Sequence, residues 1–253
     1  MRDELYGTTA KLEARLRLHT AYSTHKDGWF RWLFEATQPG RFDRVLDVGC
    51  GEGSYWESNE HLDLPGRIFL TDRSPAMLAR AGGRVRRGQC IRASVCALPY
   101  GAGSFDAAFA NHMLYHAEDV QLAIAELARV VAPGGFVFAA TNGPDALKEV
   151  FALPNIAAES LFPFADRFDL HNGTGMFTEG YSDVSVQRYP NHLEVTDAQP
   201  VVDYLLSTEA GAQLDTVAQA DIASKVQRDI DAYGHFHVTV DTGLIIARRD
   251  ANH

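Results

Sequence analysis

A chain of 253 residues, 46% of them hydrophobic, can bury the core of one large globular domain. Its 23 Lys and Arg stand against 33 Asp and Glu, a net charge of −10, and no basic run forms the stripe a phosphate backbone needs, so nucleic acid and anionic membrane are not expected partners. Charges interrupt the N-terminus, no apolar stretch reaches the roughly 18 residues of a membrane span, and Cys50, Cys90 and Cys96 lack CxxC spacing, so the expectation is a cytoplasmic protein with free thiols.

The first forty residues place Leu12, Leu16, Leu18, Trp29, Trp32 and Leu33 at helical spacing and break at Pro39 and Gly40, which predicts one or two helices. Short apolar strands then alternate with helices. RVLDVG precedes one helix, and RIFLTD precedes another that Ser74 caps, with Pro75 in its first turn. CIRASV, FDAAFAN and GFVFAAT predict three further strands, with a helix before the last whose face carries Val120, Ile124, Leu127 and Val131 and which ends at Pro133, Gly134 and Gly135. Beyond Thr141 the pattern loosens through LFPFADRFDL before the strand DVSVQRY. A helix is predicted from Thr196 or Asp197 through Leu205, a longer one from about Glu209 to Tyr233 closed by Gly234, and a last strand at GLIIARR. His235 and His237 alternate on another strand candidate.

The order implies an α/β fold: a Rossmann-like, mostly parallel sheet of seven strands with helices on both faces, a helical N-terminal segment and an insertion forming a substrate cap. A single domain is expected over 1–253. Within it, 1–40 forms a helical lid, 41–143 the cofactor-binding core, 144–182 the cap, and 183–253 the C-terminal part of the sheet.

The first strand runs into Asp47-Val48-Gly49-Cys50-Gly51-Glu52-Gly53-Ser54, a turn whose three glycines let a ligand approach the backbone closely. Asp72 ends the second strand, where a carboxylate can accept hydrogen bonds from both hydroxyls of a ribose. Counted from Gly49, the third glycine arrives one place too early for a dinucleotide fingerprint, and Ser54 occupies the place that motif requires to be glycine. An adenosine-type cofactor other than a nicotinamide dinucleotide follows. Asp47 is expected to organise the loop by accepting its backbone N–H groups.

VLDVGCGEGS resembles the first motif of the class I S-adenosylmethionine-dependent methyltransferases of small-molecule type. The run from Ala93 to Thr141, with its Leu-Pro-Tyr turn and its proline-glycine-glycine turn, is similar to the same family's stretch from third to fifth strand. The resemblance implies S-adenosyl-L-methionine as cofactor, with Asp47, Gly49, Cys50, Gly51, Gly53, Asp72, Arg73, Met77, Ser94, Val95 and Asn111 around it. Ser94 stands where many members carry an Asp that contacts the adenine amino group, so a hydroxyl contact is expected there instead.

The segment Asn111 to His116 follows the fourth strand at the rim where a transferred methyl emerges, so His112, Tyr115 or His116 is placed to take a proton from an oxygen or nitrogen nucleophile. His112 and His116 at i, i+4 make half a metal site with no acid or cysteine to complete it, and no metal is expected. Tyr22, His25, Trp29 and Trp32, with Phe164, Phe168 and His171, are candidates for an apolar lid over an uncharged or aromatic acceptor, half of them equally suited to the core. The expected reaction is methyl transfer to O, N or C of a small molecule. Its rivals are a binding protein or cyclase of the same fold and a nucleic-acid methyltransferase, the latter opposed by the acidic balance and by the lack of a Pro-Pro motif after the fourth strand. Oligomeric state is not written in this sequence.

Overall fold

The computed structural model describes residues 9–154, 156 and 165–251. In chain order its elements are α1 (Thr9–Tyr22), α2 (Gly28–Thr37), β1 (Arg44–Val48), α3 (Ser54–Ser58), β2 (Arg67–Asp72), α4 (Pro75–Arg84), β3 (Gly88–Arg92), β4 (Phe105–Asn111), α5 (Val120–Val130) and β5 (Val131–Asn142). There follow α6 (Lys148–Phe151), β6 (Tyr181–Arg188), β7 (His192–Val195), α7 (Gln199–Leu206), α8 (Thr216–Tyr233), β8 (Phe236–Thr239) and β9 (Thr242–Arg249). They group into two compact units, a sheet unit of Trp29–Pro144, Asp166–Tyr189 and Thr242–His253, and a helical unit of Met1–Gly28, Asp145–Ala165 and Pro190–Asp241.

The sheet unit holds seven strands in the order β3-β2-β1-β4-β5-β9-β6. The first five are parallel, β9 runs antiparallel to β5, and β6 antiparallel to β9. A central parallel strand is covered on both faces and must be apolar on both. Val45, Leu46 and Val48 of β1 and Ala107 to Ala110 of β4 meet that demand and are buried, whereas β3 at the edge is mostly exposed. Trp56, Phe109 and Phe138 fill the space between sheet and helices. Ser74 caps α4 by accepting the Met77 N–H at 3.4 Å, and Asp119 caps α5 by accepting that of Leu122 at 3.0 Å.

In the sheet unit, two boundaries and one lid candidate differ from the sequence reading. β3 stops at Arg92, three residues early, where the Ser94 hydroxyl accepts the Cys96 N–H at 3.3 Å and turns the chain. Val131 does not extend the helix face. It opens β5 opposite Phe105, since the residue before Pro133 is disfavoured in helical conformation and Gly134 takes a left-handed turn with φ 78°. Phe168 is core, 1% exposed, with its carbonyl accepting the Thr141 hydroxyl at 3.1 Å, so it is unavailable to a lid.

In the helical unit, β7 and β8 pair antiparallel, with the fully buried Leu193 opposite Val238. Asn191 Oδ1 ties the chain after α1 to this ribbon by accepting from the Ser23 hydroxyl and from the backbone N–H of Thr24 and His25. Arg15 on α1 donates to the Ser207 hydroxyl at 2.9 Å and carbonyl at 3.0 Å at the end of α7. α7 begins at Gln199 rather than at Thr196 or Asp197, with Asp197 Oδ1 accepting the Gln199 N–H in the turn before it. The long helix begins at Thr216 rather than Glu209, because Asp215 supplies the cap by accepting the Ala218 N–H at 2.8 Å, while Gly211–Gln213 forms a separate 3-10 turn. Gly234 closes it in a left-handed conformation. Of the 144–182 stretch, residues 145–165 fall in the helical unit and 166–182 in the sheet unit; of 183–253, residues 190–241 fall in the helical unit.

Candidate functional site

β2, β1 and β4 are neighbours, so Asp72, Val48 and Asn111 end side by side on the carboxyl rim, roughly 5 Å from strand to strand. The strand order reverses between β1 and β4, and that crevice is where open α/β sheets take their ligands.

The loop leaving β1 carries Gly49, Gly51 and Gly53, all with positive φ (64°, 55° and 80°). A Cβ on Gly49 would lie 2.8 Å from that of Met113, so the loop backbone packs directly on the segment after β4. A Cβ on Gly51 would meet nothing within 4 Å, so the loop is open on that side. The Cys50 N–H donates to the Thr71 carbonyl at 3.0 Å, and the Gly51 N–H to Asp72 Oδ2 at 3.0 Å. Asp72 Oδ1 accepts the Ser74 N–H at 2.8 Å, and each carboxylate oxygen keeps a further lone pair for a ligand. Thus Asp72, not Asp47, accepts a glycine-loop N–H.

Asp47 is 2% exposed and accepts the Trp56 indole N–H on Oδ2 at 2.8 Å, while its Oδ1 meets no partner among the described residues. Burial pushes its carboxyl up to about 7; the indole bond opposes that rise and the negative charge of Asp72 adds to it. Asn111 presents the same situation at the end of β4, with both side-chain polar atoms buried and unpartnered among the described residues. Buried groups left unsatisfied cost about 1–3 kcal/mol each. Their clustering beside an open glycine loop marks a place shaped for a polar ligand. Burial, together with the charges of Asp47 and Asp72, pushes the Cys50 thiol up, so it is an inert packing group here.

After Asn111 the chain turns sharply. His112 adopts φ 52°, a left-handed conformation rare for a residue with a side chain, with its N–H on the Ala140 carbonyl at 2.9 Å and its ring 5.3 Å from that of Trp29. Trp29 also stacks on Trp32 at 5.2 Å and meets Tyr189 edge-on at 5.3 Å. Tyr115 is buried, with its ring 4.4 Å from that of His116 on the short 3-10 turn Leu114–His116.

Ser94 and the buried Val95 sit in the turn after β3 on the same rim. Met77 lies in the first turn of α4, and Arg73 forms an exposed ion pair with Glu118 at 2.9 Å. Tyr22 and His25 belong to the helical unit and Trp29 to the sheet unit. His171 is exposed, and Phe164 lies outside the described residues. His237 lies on β8, its ring 5.1 Å from that of His192, and His235 precedes that strand. Sequence reasoning missed Trp56 and Tyr189. An indole one turn into the helix that follows the glycine loop could have flagged the first; nothing near Tyr189 in sequence points to His112 or Trp29.

Residues 46–139 match a family described as a methyltransferase domain. A malonyl-[acyl-carrier protein] O-methyltransferase from Halorhodospira halophila is 37% identical over 158 residues, covering 60% of this chain and 53% of that protein. The chain spans about half the length of the curated relatives it matches. Among solved structures, the YcgJ protein from Bacillus subtilis is similar with a TM-score of 0.58 at 16% identity, over 87% of this chain and 97% of that one. A phosphoethanolamine N-methyltransferase from Haemonchus contortus, in complex with phosphomonomethylethanolamine and S-adenosylhomocysteine, gives a TM-score of 0.52 at 18% identity over 88% and 53%. Strand order, glycine loop and matched segment coincide on the same residues: the methyltransferase-domain match over 46–139 spans the strands and the loop of the carboxyl rim, and the fold is similar to that of the solved structures above.

Proposed function

We propose that the chain transfers a methyl group from S-adenosylmethionine to an oxygen of a small acyl acceptor, a carboxylate presented on a carrier thioester. The observation that carries the cofactor assignment is the open Gly51 corner of the glycine loop, bonded to Asp72 and flanked by the unsatisfied Asp47 Oδ1 and Asn111 amide. The choice of acceptor rests on what the curated relatives are named for. Small-molecule methylation at another oxygen uses the same cofactor geometry.

Bound there, the cofactor supplies a sulfonium methyl, which makes the acceptor oxygen the only nucleophile the step needs. Asp72 holds the ribose hydroxyls with the lone pairs its two backbone bonds leave over, and Asn111 bonds the amino-acid part. Gly49 and Gly51 let the loop backbone come within van der Waals reach of the ligand. Ser94 and Val95 face the adenine as donor and apolar wall. Positioning supplies most of the acceleration, because a carboxylate carries no proton to remove. His112, Tyr115 and His116 then orient the acceptor, and one of them takes the proton when a hydroxyl is methylated. Trp29, beside His112 in the sheet unit, is assigned to acceptor contact.

Calorimetric titration with S-adenosylmethionine and S-adenosylhomocysteine tests this reading. Asp72→Ala is expected to weaken binding by about 2 kcal/mol or more, roughly thirtyfold, as charge-assisted hydrogen bonds are lost. A malonyl thioester incubated with cofactor should gain one methyl by mass. Unchanged affinity in the variant, or binding of NAD in preference, would remove the assignment.

A further inference from the structure

Between residues 73 and 105 the sequence carries six arginines (Arg73, Arg80, Arg84, Arg86, Arg87 and Arg92) and no Asp or Glu, in a chain whose net charge is −10. No two but Arg86 and Arg87 are adjacent, so they make no basic run; the fold gathers them along α4, the turn after it and the edge strand β3. Three are answered locally. Arg73 pairs with Glu118, Arg80 reaches Glu52 at 3.6 Å, and Arg84 pairs with Glu52 and Glu57, each at 3.1 Å. Arg86 and Arg87 are exposed and form no ion pair among the described residues, and Arg92 spends one N–H on the Arg73 carbonyl. Arg84, Arg86 and Arg87 line a groove of about 250 Å³ over the apolar surface of Trp56, Leu62, Leu64 and Val85, with Glu60 at its side.

Charges on an edge strand commonly protect it from pairing with another chain, but only Arg92 of the six lies within β3. A single small anion does not explain the arrangement either, because Arg80 and Arg84 stand about 6 Å apart along α4 while the other four arginines lie outside that helix. The patch offers no exposed aromatic for base stacking, and the rest of the chain repels a polyanion. Guanidinium groups in a row beside apolar residues match carboxylates arrayed on a protein face. We propose that the α4–β3 edge of the sheet unit docks an acidic protein partner, with Arg86 and Arg87 as its principal contacts. The carrier-linked acceptor proposed above identifies the carrier itself as that partner, and the inference rests on that reading to this extent.

The test titrates purified acyl carrier protein, without an acyl substrate, onto the full chain by fluorescence anisotropy at low and moderate salt. The Arg86→Glu/Arg87→Glu variant is compared with Arg17→Glu/Arg228→Glu, which makes the same change in net charge at exposed arginines of the helical unit. Salt-sensitive binding that falls at least tenfold in the first variant and less than twofold in the second supports the proposal. Methylation of a small malonyl thioester should stay unchanged in both. Equal weakening in the two variants, no carrier binding by the unaltered chain, or a DNA duplex bound more tightly through Arg86 and Arg87 would overturn it. Cofactor titration and the small-thioester reaction report separately on the proposed function, so failure there is distinguishable from failure of docking.

Discussion

Asp47 shows how one residue can be recognisable in sequence and yet perform a different task in the fold. Its place in the glycine motif was legible, but its partner is the Trp56 indole, and its burial follows from helices that cover both faces of β1. With a carboxyl pushed up to about 7, the folded chain keeps a proton that the unfolded chain releases near pH 4. That contribution to stability is complete below pH 4 and is lost as pH rises through about 7. Asp47→Asn, whose amide oxygen can still accept from Trp56, is expected to raise the denaturation midpoint at pH 8, to raise it less at pH 5, and to leave it nearly unchanged below pH 4. A larger gain at pH 5 would contradict this. Gly51 was equally legible as a glycine, though not the openness around it. Gly51→Ala meets no atom within 4 Å but must hold φ 55°, so it is expected to cost roughly 1 kcal/mol of stability. Cofactor affinity should fall by a greater factor than that strain explains, read by titration against thermal unfolding.

At the scale of elements, the strands that sit centrally in the sheet were the readable ones, because burial on both faces puts apolar residues at successive positions, as at Val45 and Leu46 and from Ala107 to Ala110. Ends were less readable. The Ser94 turn and the Asp215 cap are side-chain-to-backbone hydrogen bonds, for which the sequence held several equivalent candidates. The helical unit packs by a different logic, with His19 of α1 set edge-on to Tyr204 of α7. Burial holds that imidazole down at about 4. Since the unfolded histidine binds its proton near pH 6.5, stability must fall as pH drops from 6.5 towards 4. His19→Phe should flatten this decline, measured as melting temperature at pH 7 and pH 4.5. An equal decline in the variant would place the acid sensitivity elsewhere.

For the whole molecule, a ligand that binds only the folded chain at a hundred times its dissociation constant adds about 2.7 kcal/mol. In a chain of this length that corresponds to roughly 5–10 °C in melting temperature. S-adenosylhomocysteine is expected to produce such a shift, and Asp72→Ala to abolish it; an unshifted transition at that saturation would count against the cofactor assignment. The sequence by itself determined the parallel α/β order, the glycine loop and Asp72, because periodicity and backbone freedom are local properties written within a few residues of one another. The tertiary structure decided the rest. It alone joined Trp56 to Asp47, set Tyr189 beside Trp29, brought Met113 against Gly49, divided the chain into two units, and lined scattered arginines along one edge. Apart from the Trp56–Asp47 bond, which spans nine residues, each of those is a contact between residues distant in the chain or a sum over several elements, and no local pattern of side chains encodes which distant surface will cover it.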